Sequence, residues 1–178
     1  MTSASEIAKP SETEYAPFYS GYIAEVAGTD VLGVLRRQVA EIKALAGAVP
    51  EPRETFRYAP GKWSIREVIS HLTDGERVFG YRAFCIGRGE TTPLPGFDEN
   101  RYVSESGSDR QRLGELVGEF VSAREANLNM FGRFDGRAWR RIGNANGSPV
   151  SVRALAYIMA GHVQHHFGVL RSRYNVAG

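Results

Sequence analysis

Four long stretches of this chain repeat apolar residues at helical spacing, and this pattern constrains the fold more than any other feature of the sequence. Residues three, four and seven positions apart share one face of an α-helix, so each stretch predicts a helix with one apolar side. Asp30 stands where an N-cap of the first helix belongs, and Gly47 and Pro50 end the pattern. The apolar positions of this first stretch are Val31, Leu35, Val39, Ile42 and Leu45.

The second predicted helix begins at a capping box and ends before a long loop. Ser64 and Glu67 have the spacing of that box, in which each side chain accepts a hydrogen bond from the other residue's backbone N–H, and the helix extends to about Gly87. The segment 91–100 carries two prolines and a glycine, which exclude a regular helix. Because loops this long in compact domains are usually functional, we interpret the segment as a lid or an interface.

The third and fourth predicted helices follow the same pattern. The third begins near Ser108 or Asp109 and carries apolar positions as far as residue 131. A cluster of turn-forming residues over 144–149 precedes the fourth helix, which runs from Val152 to about Arg173 with Ser151 as its N-cap.

The size and composition of the chain fit a single bundle of these helices. A chain of 178 residues with 42% apolar content can bury a continuous core without a disulfide or a structural metal. We therefore predict an all-α fold, a four-helix bundle in one domain over residues 19–174, with the long loop between the second and third helices. A polar N-terminal segment over residues 1–18 precedes it.

Charge and sequence pattern exclude several classes of partner. The 22 basic and 20 acidic residues are dispersed along the chain, so no nucleic acid is expected as a partner. No stretch approaches the roughly 18 apolar residues that span a bilayer, so no membrane is expected either. The single cysteine excludes an internal disulfide, and the polar start lacks the apolar run of a signal peptide. We therefore expect a cytoplasmic protein.

Three of the four histidines lie within two turns of the fourth predicted helix. At about 100° per residue, His162 and His166 fall in the middle of its apolar sector and His165 falls at the edge, while His71 faces inward on the second helix. Two imidazoles four residues apart can hold one ion, and a third from a neighbouring helix leaves coordination positions open, as in catalytic sites. If the second and fourth helices are neighbours, the sequence predicts a metal site at His71, His162 and His166.

Three further residues close to this set have roles that the sequence leaves open. Asp74, one turn beyond His71, is a candidate to orient that imidazole or to help position a substrate, and is otherwise a solvated acid. Glu76 lies on the apolar side of its helix, and we expect it to pair with an arginine inside the bundle. His165 is an alternative metal ligand, or it donates a hydrogen bond to one of the ligands. No catalytic or cofactor-binding residue is assigned.

Four segments carry a resemblance to a known family. In order they read YAPGKWSIREV (58–68), HLTDGERVF (71–79), TPLPGFD (92–98) and GHVQHHFGVL (161–170). Together they resemble the DinB-like superfamily of four-helix bundles, and the resemblance extends over residues 19–174. It implies that His71, His162 and His166, which match the family's ligand positions, hold a divalent metal. It also leads us to expect a homodimer.

The resemblance implies a metal-dependent transferase that joins low-molecular-weight thiols, such as bacillithiol or mycothiol, to electrophiles. A hydrolase is the related interpretation, because a bound ion lowers the pKa of water as well as that of a thiol. The expected cofactors are a divalent metal (zinc, nickel, iron or manganese) and, for a transferase, a low-molecular-weight thiol. The expected partner is a small-molecule substrate. The alternative function is that of a non-catalytic metal-binding bundle with a structural or sensing role.

Overall fold

Four long helices form a bundle in the computed structural model, which describes residues 7–177. Within that part of the chain, no helix has the length and apolar character needed to cross a membrane. The α-helices are α1 (Ser20–Glu25), α2 (Val31–Gly47), α3 (Ile65–Gly87), α4 (Glu99–Ser106), α5 (Leu113–Phe131), α6 (Gly136–Arg140) and α7 (Val152–Tyr174). Two short strands, β1 (Ile142–Ala145) and β2 (Ser148–Ser151), form an antiparallel hairpin. The predicted all-α, four-helix bundle is confirmed.

Among the four long helices, α2 and α3 follow each other along the chain. In the bundle, however, they lie diagonally opposite each other. Each of them packs against both α5 and α7. As a result α3 and α7, which carry all four histidines, are neighbours along their length. This adjacency is the condition under which histidines of the two helices can meet.

The predicted N-caps of three bundle helices are confirmed. The Asp30 carboxylate accepts a hydrogen bond from Gly33 N at 2.9 Å. At the start of α3, Ser64 Oγ accepts from Glu67 N at 3.1 Å and Glu67 Oε2 accepts from Ser64 N at 2.8 Å. Ser151 Oγ accepts from the N–H of Ala154 at 3.0 Å at the start of α7. These bonds satisfy backbone donors that have no partner inside a helix.

The link between α3 and α5 differs from the prediction in two places. The predicted start of the third helix near Ser108 or Asp109 is wrong, because residues 108–110 form a single 3-10 turn and α5 begins at Leu113. The predicted loop over 91–100 holds only as far as residue 98, where the Asp98 carboxylate accepts from Arg101 N at 3.1 Å and caps α4. Helix α4 therefore begins within the last two residues of the segment predicted as loop.

The turn cluster predicted over 144–149 is the tip of the β1–β2 hairpin. Asn146 and Gly147 occupy the two turn positions with φ of 53° and 75°. Positive φ at both positions is the geometry that favours Asn-Gly in two-residue hairpins. Leu94, in the link between α3 and α5, forms a β-bridge with Ala145 of β1, so the hairpin also holds that link in place.

A buried polar layer separates the apolar core into two clusters. At its centre, the guanidinium of Arg124 donates to both carboxylate oxygens of Glu76 at 2.7 and 2.8 Å and to Gln38 Oε1 at 2.8 Å. Gln38 Nε2 in turn donates to the carbonyl oxygen of Ala160 at 2.8 Å. This arginine layer, formed by Arg124, Glu76 and Gln38, joins all four bundle helices. It confirms the prediction that Glu76 pairs with an arginine inside the bundle.

The N-terminal segment packs against the bundle through a few buried residues. Ile7 and Tyr15 are buried in the core, and Arg153 Nε donates to Glu14 Oε2 at 2.7 Å. Hydrogen bonding from Arg153 lowers the pKa of Glu14 from its ordinary 4.5 to about 2. Residues 1–6 of the predicted polar segment over 1–18 lie outside the described part of the chain, and the domain boundary at residue 19 stays a prediction.

Candidate metal centre

The three histidines predicted as ligands come together between α3 and α7. Each offers a ring nitrogen, and these nitrogens all lie within 4.8 Å of one another. The closest pair is His71 Nε2 and His162 Nε2, at 2.8 Å. His162 and His166 share a face of α7 because they are four residues apart. The packing of α3 on α7 brings His71 opposite them.

This spacing fits a single divalent ion of the kind that imidazoles bind. An ion about 2.1 Å from each nitrogen spans at most about 4.2 Å between two of them. The longest separation among the three nitrogens exceeds that span by no more than about 0.6 Å. A small rotation of one imidazole about its side-chain bonds closes such a gap. The donor set is entirely neutral nitrogen, which suits transition metals and zinc.

The histidines are buried in a way that favours their neutral form. His71 and His162 are only 6% and 4% exposed, and His166 is partly exposed. Burial lowers the pKa of His71 from 6.5 to about 4 and that of His166 to about 3. Burial, together with the neighbouring imidazoles, also holds the pKa of His162 well below its ordinary value. Near neutral pH all three rings therefore keep the lone pair that a metal ligand needs.

Two of these buried rings also have unsatisfied nitrogens. Nδ1 of His71 and Nδ1 of His166 are buried and have no hydrogen-bond partner within residues 7–177. A buried polar nitrogen without a partner costs about 1–3 kcal/mol, and the great majority of such atoms in folded proteins are paired. An unsatisfied, buried cluster of imidazoles is consistent with a site that binds a ligand.

Aromatic rings and one glycine surround the imidazoles. The rings of Trp63 and His71 lie 4.7 Å apart, and those of Tyr22 and His162 lie 5.5 Å apart, measured between centroids. Gly75 leaves room for the His162 ring, since an added Cβ would lie 3.0 Å from two of its atoms. Helix α1 approaches closely at Gly161, where an added Cβ would lie 1.8 Å from the carbonyl oxygen of Tyr22. These contacts enclose the buried rings of His71 and His162.

A cavity of about 290 Å³ opens beside the outermost ligand, His166. Lys62 supplies a positive charge in its wall, and Asn100 brings the α3–α5 link onto it. The segment over 91–100, interpreted from the sequence as a lid or an interface, therefore contributes Asn100 to the wall. The lining residues are Tyr58, Gly61, Lys62, Trp63, Val68, Asn100, His165, His166, Val169 and Tyr174.

The family follows from comparison with known proteins. The model of the DinB superfamily matches residues 34–170, which is most of the chain and includes all three predicted ligands. The chain belongs to the DinB superfamily. The resemblance seen in the four sequence segments is thereby confirmed. No curated protein matches the chain by sequence.

Two solved structures share the bundle of this DinB-superfamily chain. YfiT from Bacillus subtilis, described as a probable metal-dependent hydrolase with an unusual four-helix bundle topology, aligns with a TM-score of 0.73 and 16% identity, over 96% of this chain and 95% of that one. The mycothiol-dependent maleylpyruvate isomerase aligns with a TM-score of 0.63 and 15% identity, over 81% of this chain and 60% of that one. At these identities the likeness shows the fold alone.

The structure shows what surrounds Asp74 and His165, whose roles the sequence left open. Asp74 does not orient His71, whose Nδ1 has no hydrogen-bond partner; it lies 3.8 Å from the guanidinium of Arg77 instead. His165 is exposed and does not join the three converging nitrogens, although its ring lies 5.1 Å from that of His166. It lines the cavity and is not one of the converging donors.

Three residues around the site were not predicted from the sequence. Tyr22 covers His162 from α1, and burial together with the charge of Glu99 raises the pKa of its phenol. Lys62 and Asn100 line the cavity from two different links. A periodic pattern identifies the buried face of a helix, and none of these three residues belongs to such a pattern.

Proposed function

We propose that the protein is a metal-dependent enzyme that prepares a thiol or a water molecule for attack on an electrophile, with His71, His162 and His166 as the metal ligands. The transferase of low-molecular-weight thiols and the hydrolase are the two forms of this proposal. The observation that carries it is the convergence of three buried, neutral imidazoles beside a cavity large enough for a small substrate.

The chemistry of the donor set supports an enzyme over a closed structural site. When bound, a divalent cation supplies Lewis acidity, which lowers the pKa of a thiol or of water. No carboxylate among the donors offsets its charge. Within residues 7–177, no fourth histidine, cysteine or acid joins the three donors. Structural sites usually have four protein ligands, whereas catalytic sites have three and an open position.

Other residues of the chain enclose the ligands and bind the substrate. The ring of Tyr22 packs against His162, and the ring of Trp63 packs against His71 and also lines the cavity beside His166. The cavity beside His166 receives the substrate, and Lys62 in its wall attracts a negatively charged group. The cytoplasmic location, the small-molecule substrate and the homodimer belong to the same proposal. The non-catalytic alternative has no specific observation in its favour.

Elemental analysis of purified variants tests the ligand assignment. We expect about one equivalent of metal in the wild-type protein and in His165→Ala, and a loss of most of it in His166→Ala. The two histidines are adjacent in sequence, so His165→Ala is a matched control. A full equivalent of metal in His166→Ala would show that the ligand assignment is wrong.

A second experiment tests the reaction. The protein is supplied in turn with zinc, nickel, iron or manganese and assayed for thiol conjugation and for hydrolysis with a broad panel of electrophiles. We expect turnover with at least one metal and none after His166→Ala. Stoichiometric metal with no turnover on the whole panel would favour the non-catalytic alternative.

A further inference from the structure

A groove far from the histidines carries three arginines. Its volume is about 700 Å³, and it lies where the C-terminal ends of α3 and α5 meet α6. Phe84, at its edge, is 13 residues beyond His71, or about 20 Å along the axis of α3. The residues that define its character are Phe84, Arg88, Arg133, Phe134, Asp135 and Arg141.

The positive charge of this groove is not neutralised by the protein. Within residues 7–177, none of the guanidinium groups of Arg88, Arg133 and Arg141 forms a salt bridge. The one acid in the lining, Asp135, is engaged as the N-cap of α6 and accepts from Ala138 N at 2.7 Å. The ends of α3 and α5 contribute only about half a negative charge each. The three positive charges of the arginines exceed the negative charge of one carboxylate and two helix ends, so the groove has a net positive charge.

Flat apolar surface lies directly beside these charges. Phe84 is 48% exposed, and the guanidinium carbon of Arg88 lies 5.7 Å from the centre of its ring. On the facing wall the Phe134 ring rests over Gly87, where an added Cβ would lie 2.6 Å from it. Arg141 is fixed in position because it donates to the carbonyl oxygen of Gly87. An arginine has five N–H donors, so others stay free for a ligand.

We propose that this groove binds a small organic phosphate that carries an aromatic ring. Arginine matches phosphate oxygens with paired donors, and three of them surround the groove. The ring packs against Phe84 and Phe134, which form the apolar part of the lining. This site is separate from the histidines and does not depend on the function proposed for them.

Titration calorimetry with phenyl phosphate tests the proposal. The test variant is Arg88→Gln with Arg133→Gln, since both side chains are exposed and their loss leaves the fold intact. The matched control is Arg137→Gln with Arg140→Gln, which removes the same charge from exposed positions on α6 outside the groove. Melting temperatures of both double variants verify that each is folded.

We expect phenyl phosphate to bind the test variant about a hundredfold more weakly than wild type, because two charge-assisted contacts are lost. The control variant and His166→Ala keep wild-type affinity. Inorganic phosphate, which lacks the ring, binds wild type about tenfold more weakly. Equal loss in test and control variants, equal affinity for both phosphates, or no binding to wild type at millimolar concentration would each overturn the proposal.

Discussion

Two sets of buried polar side chains lie next to each other in the bundle, and they differ in how completely they are satisfied. In the arginine layer, both carboxylate oxygens of Glu76 and both polar atoms of the Gln38 amide have partners. Among the histidines, Nδ1 of His71 and of His166 have none. Because unpaired buried groups are costly, the satisfied layer has a structural role and the unsatisfied set is available to a ligand.

The largest effect expected from this comparison is at Arg124. Replacing it, Arg124→Met, leaves the Glu76 carboxylate, only 2% exposed, without its charge partner and with Asn127 Nδ2, at 3.1 Å, as its remaining side-chain donor. We expect the free energy of unfolding to fall by about 3–5 kcal/mol, measured by urea denaturation.

A double variant separates the charge from the packing. Arg124→Met combined with Glu76→Leu removes both charges and should recover most of the lost stability. A loss below about 1 kcal/mol in Arg124→Met alone would mean that the layer is not structural.

In contrast to the replacement of Arg124, the replacement of a histidine of the metal site should cost little stability. His71→Leu removes the unsatisfied Nδ1 of His71 but also removes the hydrogen-bond partner of His162 Nε2, so in the presence of a chelator the free energy of unfolding should change by less than about 1 kcal/mol. Added zinc should stabilise the wild type and not this variant, because only a ligand bound to the folded state shifts the equilibrium. Urea denaturation with and without zinc measures both. If the free energy of unfolding of His71→Leu in chelator fell by more than about 2 kcal/mol, His71 would have a structural role like that of the arginine layer.

The smallest expected effect is at Gly75, which separates site geometry from stability. In Gly75→Ala the new methyl group presses on the His162 ring, and we expect the affinity for zinc to fall about tenfold while stability changes by less than about 1 kcal/mol. Gly118→Ala is the control, because an added Cβ there has nothing within 4 Å. Competition with a metallochromic chelator measures the affinity. Equal affinities in both variants would show that Gly75 does not shape the site.

The sequence predicted the long helices and the inward-facing positions of the three histidines because both depend on local periodicity. The convergence of the histidines also required α3 and α7 to be neighbours. The caps at Asp30, Ser64 and Ser151 follow from the same short-range chemistry. The pairing of Glu76 with an arginine was also predictable, since a carboxylate on an apolar face needs a partner. Its identity as Arg124 was not, because arginines on helices usually face solvent and only packing distinguishes the buried one.

Other elements were missed because their signals are short or not local. Helix α4 has eight residues and each strand of the hairpin has four, which is too few for a periodic pattern. Tyr22 reaches the site from the six-residue helix α1, and its position depends on docking against α7. Lys62 and Asn100 meet at the cavity only after distant links fold together.

The close approach of α1 to Gly161 has a consequence for hydration of the site. Position 161 lies in the middle of α7 and faces the backbone of Tyr22, so a single methyl group there forces α1 outward. With α1 displaced, the Tyr22 ring no longer shields His162, and bulk solvent reaches the innermost imidazole. The absence of a side chain at this one position therefore keeps the deepest donor dry.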